Sequence, residues 1–558
     1  MADGLLNKAS IILTPTGYKA GTLYNVAPVV EPYEDFDFAR ASVASRVNSS
    51  GLVEMVGRTL GSELVTNGDF STSGTPNTSS FTLGWYSNTS NVIIENGSLT
   101  MSNSASESDS RAYATNGVSS NNILTTNKTY ELKYDIIENN GVTNFKYYSS
   151  SGIFISAPSV EIGSYTIYIK NTSNQLFLFQ NSSTNSSIKI DNVSLKEVID
   201  TNNIPRISYD SNGDNGHILL EPTSTNLITY SEDFTEWTSK TNIEVNLNNT
   251  TSPQGVINAA FINEDNDNAQ HFVGQSISIT SGQDICISVY AKKNQRDVLQ
   301  ISPSANYLTT SGYANYDLTN GLVTASGGGV TAEIEVVSNN WYRCIAKFTA
   351  NNTASGTTAF FLQNSTTASR GDSYDGDGSS GLYLWGAQVE ALSYATSYIP
   401  TLTGSQEVRA TETATGAGSA DLINSTEGVL YAEIAALAND GTSRRISLSN
   451  GSISNRVSLE IDETANRIRV HINASLITYD ASDLTSFNKI AVKYKVNDYA
   501  LWLNGVEVAT SSSSEQPSGM NVLSFTNPTE AQVFYGKVKA LAVFNEALSD
   551  SELTQLTT

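Results

Sequence analysis

The chain has 558 residues, enough for roughly three or four domains, and a formal charge of −24 that opposes docking on phosphate backbones or anionic lipid. Only 15 % of its residues are charged, well below the usual share, and Asn, Ser, Thr and Gly fill the gap, as in turn-rich extracellular β-proteins. Nucleic-acid and membrane partners are therefore not expected, whereas divalent cations suit the surface.

In chain order, residues 1–60 open with TPTGYKAGTLYNVAP, punctuated by Pro and Gly, which reads as an extended arm. FDFARASVASRVNSSGLVEMV follows, and its ASRVNSSGLVE reads as strand, turn, strand. The segment has too few apolar residues for its own core, so it is expected to pack on copies of itself or on a larger assembly. The first residues, MADGLLNKASIILTPTGYKAG, hold no apolar run behind a basic start, so no secretory signal or membrane span is expected.

Residues 61–199 carry short alternating runs (TYELKYDIIE, SYTIYIK, SIKIDNVSLKEVI) split by Asn-Gly and Ser-Gly turns, the pattern of a β-sandwich. Residues 200–225 read as a connector. Residues 226–402 repeat the plan: LITYSEDF answers LVTNGDF, a Trp follows each, and each unit closes on a strand holding a Glu, Glu197 and Glu390. Residues 403–425 read as a polar linker. Residues 426–558 alternate as a third unit and end in a helix, with Ser549 and Glu552 spaced as a capping box. Cys286 and Cys344, both in strand-like runs, read as small buried side chains, with one cross-strand bridge as the alternative.

Catalytic motifs are absent from the sequence. The three histidines, His217, His271 and His471, have no nucleophile or acid beside them in a recognisable pattern, and GGG at 327–329 is a turn with no helix after it. Three carboxylates around glycine, Asp372, Asp375 and Asp377 in GDSYDGDGSSG, can read as a hard-cation loop or as a solvated hairpin. Sugar recognition needs aromatic faces, and Trp85, Tyr86, Trp237 and the Tyr147–Tyr148 pair are the candidates. Trp385 and Trp502, flanked by strand-forming apolar residues, read as core. Arg40, Arg46 and Arg206, with Asp35 and Asp37, can read as groups for inter-chain ion pairs or as ordinary surface charge.

Asn67-Gly68-Asp69-Phe70 with Trp85, and Ile190 to Leu195 at the close, resemble jelly rolls of the carbohydrate-binding-module type. Glu232-Asp233-Phe234, Trp237 and Leu384 to Glu390 resemble them in the second unit. That resemblance implies a structural Ca²⁺ near the pairing of first and last strands, with Asp69 and Asp191 as ligands; the second unit has Trp-Gly where the closing-strand Asp would be. Tyr499 to Gly505 and Tyr535 to Ser549 resemble a laminin-G/concanavalin-like sandwich. The expected fold is thus all-β: two jelly rolls and a concanavalin-like sandwich in tandem, with an extended N-terminal arm.

FDFARASVASRVNSSGLVE, IPRISYDSNGDNGHILLEPTSTNLITYSEDFTEW and LYLWGAQVEALSYATSYIPT together resemble phage tail-fibre and related virion proteins, over most of residues 33–410. The resemblance implies a non-enzymatic appendage protein in the virion, assembled in a host cytoplasm. It would be a homotrimer, held to other phage structural proteins through residues 1–60 and presenting sandwiches to host surface glycans. A capsid decoration or head fibre, and a secreted glycan-binding adhesin, are the alternatives.

Overall fold

In the computed structural model the described residues are 4–27, 34–76, 83–87, 89–106, 109–115, 117, 123–150, 153–157, 160–171 and 177–558, without the side chains of Leu6 and of residues 148–150 and 153–156. Among them the chain is all-β: three sandwiches in tandem and one α-helix, Asp550–Thr557. Among the described residues no helix is long and apolar enough to cross a membrane.

The first sandwich packs a six-stranded sheet on a five-stranded one, and its core joins Leu132 and Ile190 of one sheet to Phe145 and Phe179 of the other. The second packs two six-stranded sheets around Ile262, Val289 and Leu384 on one side and Val273, Leu299 and Phe360 on the other. Alternation of apolar and polar residues puts one face of each strand into these cores. Turns fall where left-handed backbone is cheap. Asn96-Gly97 joins Val92–Glu95 to Ser98–Asn103, and Asn504-Gly505 joins Tyr499–Leu503 to Val506–Ser511, each residue with positive φ.

The first two sandwiches are built alike at their openings. Leu64 N donates to Leu195 O at 3.0 Å, and Leu227 N to Val389 O at 2.8 Å. Val193 N donates to Gly68 O, and Ala387 N to Ser231 O, both at 2.8 Å. Both closing strands, Ser186–Asp200 and Gly381–Glu390, bulge at the same point, where Asn192 (φ 51°) and Gly386 (φ 62°) turn left-handed. This register makes Leu195 the counterpart of Val389, so Glu197 and Glu390 are offset by one residue and are not equivalent. The offset turns them to opposite faces. Glu197 is half-buried and pairs with Lys128, whereas Glu390 is fully buried.

The N-terminal segment is extended but engaged within the chain. Ala9–Leu13 pairs antiparallel with the last strand of the chain, Gly536–Phe544, and sends Ile11 and Leu13 into the third core. The same edge of that strand takes His217–Leu220 from the connector. Phe36–Ala39 pairs with Thr413–Thr415 of the linker, and Ser224–Asn226 with Glu407–Arg409. Phe36 and Phe38 enter the third core too. The expectation that this segment needs copies of itself is therefore corrected: its apolar residues are short of a core by themselves and complete the core of residues 426–558. The connector and linker are likewise paired strands and not free tethers.

These segments meet at a buried ionic hub. Arg40, Arg206, Glu221, Arg409 and Glu412 are each at most 2 % exposed. Glu412 receives Arg40 Nη1 at 2.6 Å and Arg206 Nε at 2.9 Å, with a further contact to Arg206 Nη2. Glu221 receives Arg206 Nη2 at 2.9 Å and Arg409 Nη1 at 3.0 Å. Burial by itself would raise the Glu221 carboxyl; Arg409 and Arg206 outweigh it and hold it at about 2. Arg206 also donates to Ser45 O and Ser397 Oγ, both at 2.7 Å. Arg40 and Arg206 are thus corrected from inter-chain partners of Asp35 and Asp37 to intra-chain partners of Glu412. Arg46 pairs with Glu54 in its own hairpin at 2.6 Å.

Removing one member of a buried ion network leaves the others charged and unpaired, at about 3–5 kcal/mol. Glu412→Ala is expected to lower stability by that order in denaturant unfolding. An unchanged midpoint would take the organising role away from the hub.

Candidate functional site

A cleft of about 950 Å³ lies where the first sandwich, the second sandwich and the N-terminal segment meet. Its first wall is the outer face of two strands, Lys128–Asn140 and Gly163–Asn171. In the first of these, Tyr130, Leu132 and Tyr134 point into the core, so Glu131 and Lys133 must point out. Tyr168 and Lys170 do the same on the second. Tyr168 Oη donates to Glu131 Oε2 at 3.0 Å, and Lys133 Nζ lies 2.9 Å from Glu131 Oε1.

The opposite wall is the opening segment of the second sandwich, Tyr230, Glu232, Asp233 and Glu236, with Asn258 beside it. Asp233 caps the 3-10 turn Phe234–Glu236 by accepting from Thr235 N at 3.0 Å. Glu232 accepts from Tyr398 Oη at 3.0 Å and Asn258 Nδ2 at 3.1 Å. Burial outweighs these hydrogen bonds and pushes its carboxyl up to about 7. Burial also raises Asp233, and burial with the neighbouring Asp233 raises Glu236. Arg58, held by Asp200 at 2.9 and 3.0 Å, lines the cleft from the N-terminal side, beside the partly exposed Leu60. The cleft thus combines tyrosine rings (Tyr147, Tyr168, Tyr230), apolar side chains, and donors and acceptors of both signs.

The aromatic candidates fare differently. Trp85 and Trp237 are corrected from platforms to core: they are 0 % and 1 % exposed. The indole N–H of Trp85 donates to Asn67 O at 3.1 Å, and that of Trp237 to Tyr230 O at 3.0 Å. Asn67 and Tyr230 are equivalent left-handed residues, with φ of 55° and 57°. Each tryptophan therefore locks the opening turn of its sandwich. Tyr86 is half-buried, stacked on Tyr113 with centroids 4.5 Å apart, away from the cleft lining. Tyr147 does line the cleft; the side chain of Tyr148 lies outside the described residues. Trp385 and Trp502 are buried, and both cysteines are buried and unbridged.

The five aspartates do not gather. Asp69 accepts from Ser71 Oγ at 3.0 Å, and Asp191 from Asn192 N at 2.6 Å. Asp372 accepts from Ser369 N at 2.6 Å, and Asp377 from Ser379 N and Ser380 N at 2.9 and 2.6 Å. Hydrogen bonds from Ser380 and Ser379 hold Asp377 well below the usual carboxylate range. Asp375 sits in the two-residue strand Tyr374–Asp375, paired with Asn268–Ala269. Among the described residues no three His, Cys, Asp or Glu side chains converge on one point. A calcium ion takes about six to eight oxygens, so these residues as arranged do not fit one. The acidic glycine loop consists of turns held by Asp372 and Asp377 with a short paired strand between them.

Of the histidines, His217 Nδ1 lies 3.0 Å from Asn215 O, His271 Nδ1 2.8 Å from Asn242 O, and His471 Nε2 3.1 Å from Glu460.

No family model matches the sequence, and no curated protein matches it. Similar solved structures include the CBM40 module of Ruminococcus gnavus IT-sialidase bound to α2,3-sialyllactose, 20 % identical over 26 % of this chain and 94 % of that one, with a TM-score of 0.23. The CBM22-1–CBM22-2 tandem of Paenibacillus barcinonensis Xyn10C is 11 % identical over 60 % and 98 %, with a TM-score of 0.19. Trypanosoma rangeli sialidase in complex with sialic acid is 10 % identical over 54 % and 60 %, with a TM-score of 0.22. All three are low similarities, and the function has to be argued from the chain's own residues.

Two outcomes are expected. Trp237→Ala should cost about 3–5 kcal/mol, as a large core truncation. A variant that kept its stability and lost only ligand affinity would restore the platform role. The second concerns Glu232, whose carboxyl rises on folding from 4.5 to about 7. The folded state then holds this proton more tightly, so its stabilising contribution is complete below about 4.5 and is lost as pH rises through about 7. Melting temperature followed from pH 4.5 to 8 should fall less in Glu232→Gln than in the parent. Parallel curves would refute the assignment.

Proposed function

We propose that this chain is a non-catalytic, glycan-binding adhesive protein, and that the cleft between its first two sandwiches holds the glycan. The observation that carries the proposal is the make-up of that cleft: about 950 Å³, three tyrosines, and hydrogen-bonding groups of both polarities. Tyrosine rings can cover the C–H faces of sugar rings, and mixed donors and acceptors suit hydroxyls, which need both.

Binding without cleavage is supported by how three of the cleft's carboxylates are engaged. A glycosidase pair needs two carboxylates facing one bond, about 5–10 Å apart. Here Glu131 is taken up by Tyr168 and Lys133, Glu232 by Tyr398 and Asn258, and Asp233 by the turn it caps.

The proposed setting is a phage virion appendage, a tail fibre or similar, trimeric and joined to other phage proteins through residues 1–60. Its support is the likeness of three segments within residues 33–410 to such proteins. Any anchoring surface must leave Ile11 and Leu13 in the third core, so it uses another face of the segment.

The test is retention on an array of bacterial surface glycans. The parent is expected to bind a subset, and Tyr168→Ala to weaken that binding about tenfold or more, equal to about 1.4 kcal/mol, with an unchanged melting temperature. Equal binding by parent and variant would remove the cleft from recognition. No retained glycan at all would remove the function.

A further inference from the structure

A second, smaller pocket of about 270 Å³ lies where the hairpin of Ala44–Val47 and Val53–Val56, the connector, the edge of the second sandwich and the third sandwich meet. It is cationic in a chain of charge −24. Arg343 and Lys537 line it, with His217 and Arg46.

Arg343 is the unusual group. It is 7 % exposed, yet it makes no ion pair among the described residues. Its Nη2 donates to two neutral oxygens, Ser288 Oγ at 3.0 Å and Thr396 O at 2.7 Å. Its Nε is buried with no partner. The Tyr290 ring, its centroid 5.5 Å from the guanidinium carbon, and the more distant charges of Glu335 and Glu390 offset part of the cost of burying it, and the orphaned N–H adds to that cost. Lys537 also lacks an ion pair among the described residues.

The nearby acids offset the pocket's positive charge only in part. Glu221 is held by Arg206 and Arg409. Glu390 bonds Ser224 Oγ and Thr396 N and acts on Arg343 through its charge without an ion-pair contact. Glu335 stands opposite Arg343 in the ladder, but its carboxylate is exposed and forms no ion pair among the described residues. His217 registers the field: burial first, then Lys537, Lys539 and Arg206, depress it to about 4, so it is neutral at pH 7.

We infer that this pocket is an anion site for one oxyanion group, a carboxylate, sulfate or phosphate, on a ligand no larger than a single sugar ring. Arg343 and Lys537 would supply two positive charges at the pocket lining. The volume is just under the about 300–1,000 Å³ of drug-sized sites, which sets the size limit. The inference stands on this pocket alone and is independent of the larger cleft.

Tyr290 lines the pocket and packs on Trp385 with centroids 5.2 Å apart, so tryptophan fluorescence of the full chain should respond to occupancy. The probes are glucuronate, glucose, inorganic sulfate and inorganic phosphate. Glucuronate or an inorganic oxyanion is expected to give a saturable change and glucose none. Lys537→Gln and Arg343→Gln should weaken binding threefold or more. Glu335→Gln, which removes a repelling charge at an exposed position, should tighten it. Opposite signs in folded variants cannot come from a general loss of structure. Saturation by glucuronate alone assigns the site to an acidic sugar, and saturation by sulfate or phosphate alone to the inorganic ion; either upholds it. No response to any of the three anions overturns the inference, as does a Lys537→Gln and Glu335→Gln pair that both match the parent.

Discussion

The structure depends most on one buried contact set, the pairing of Glu412 and Glu221 with Arg40, Arg206 and Arg409. These five residues come from three stretches far apart in the chain. Each stretch is poor in apolar side chains and forms no core of its own. Charges taken out of water demand partners at good geometry, and a displaced partner leaves a charge stranded. The hub therefore tolerates one arrangement of the N-terminal segment, the connector and the linker. It contributes specificity of assembly more than net stability, because desolvation offsets most of the attraction.

That arrangement positions both concavities. Arg58 and Leu60 follow directly on the hairpin whose Ser45 carbonyl accepts from Arg206, and they form one side of the large cleft. The small pocket borders the hub itself, sharing Glu221, Thr396 and Ser397 with it. Neither concavity belongs to one sandwich. Each exists because short paired strands, and not flexible tethers, hold the sandwiches against one another.

The repeat between the first two sandwiches shows what a fold preserves when sequence drifts. The indole of Trp85 reaches the carbonyl of Asn67, and that of Trp237 the carbonyl of Tyr230, although the tryptophans follow their turns at different distances. The bulge is kept by Asn192 in one unit and Gly386 in the other, two residue types that accept left-handed backbone. Glu197 and Glu390, which look equivalent in the sequence, are not, because a slip of one residue along a strand moves a side chain to the opposite face.

Local chemistry made much of the chain legible from its residues. Alternation marked the strands, Asn-Gly the hairpins, and Ser549 with Glu552 the terminal capping box, which is present. Burial of Trp385, Trp502 and both cysteines followed from their strand-forming neighbours. The sites were not legible in this way. Trp85 begins a strand and Trp237 ends the 3-10 turn Phe234–Glu236, places where a side chain can face either way, and only the packed sheets turned them inward. Asp372, Asp375 and Asp377 are close in sequence, but Asp372 and Asp377 are each bound to a separate turn and Asp375 lies in a paired strand between them. Tyr168, Glu131 and Glu232 carry no motif, since their meeting depends on two sandwiches lying side by side. Sequence periodicity decides what one strand does with its two faces. Which faces meet, and which distant charges close the gaps between them, is decided by tertiary packing, because those contacts join residues hundreds of positions apart.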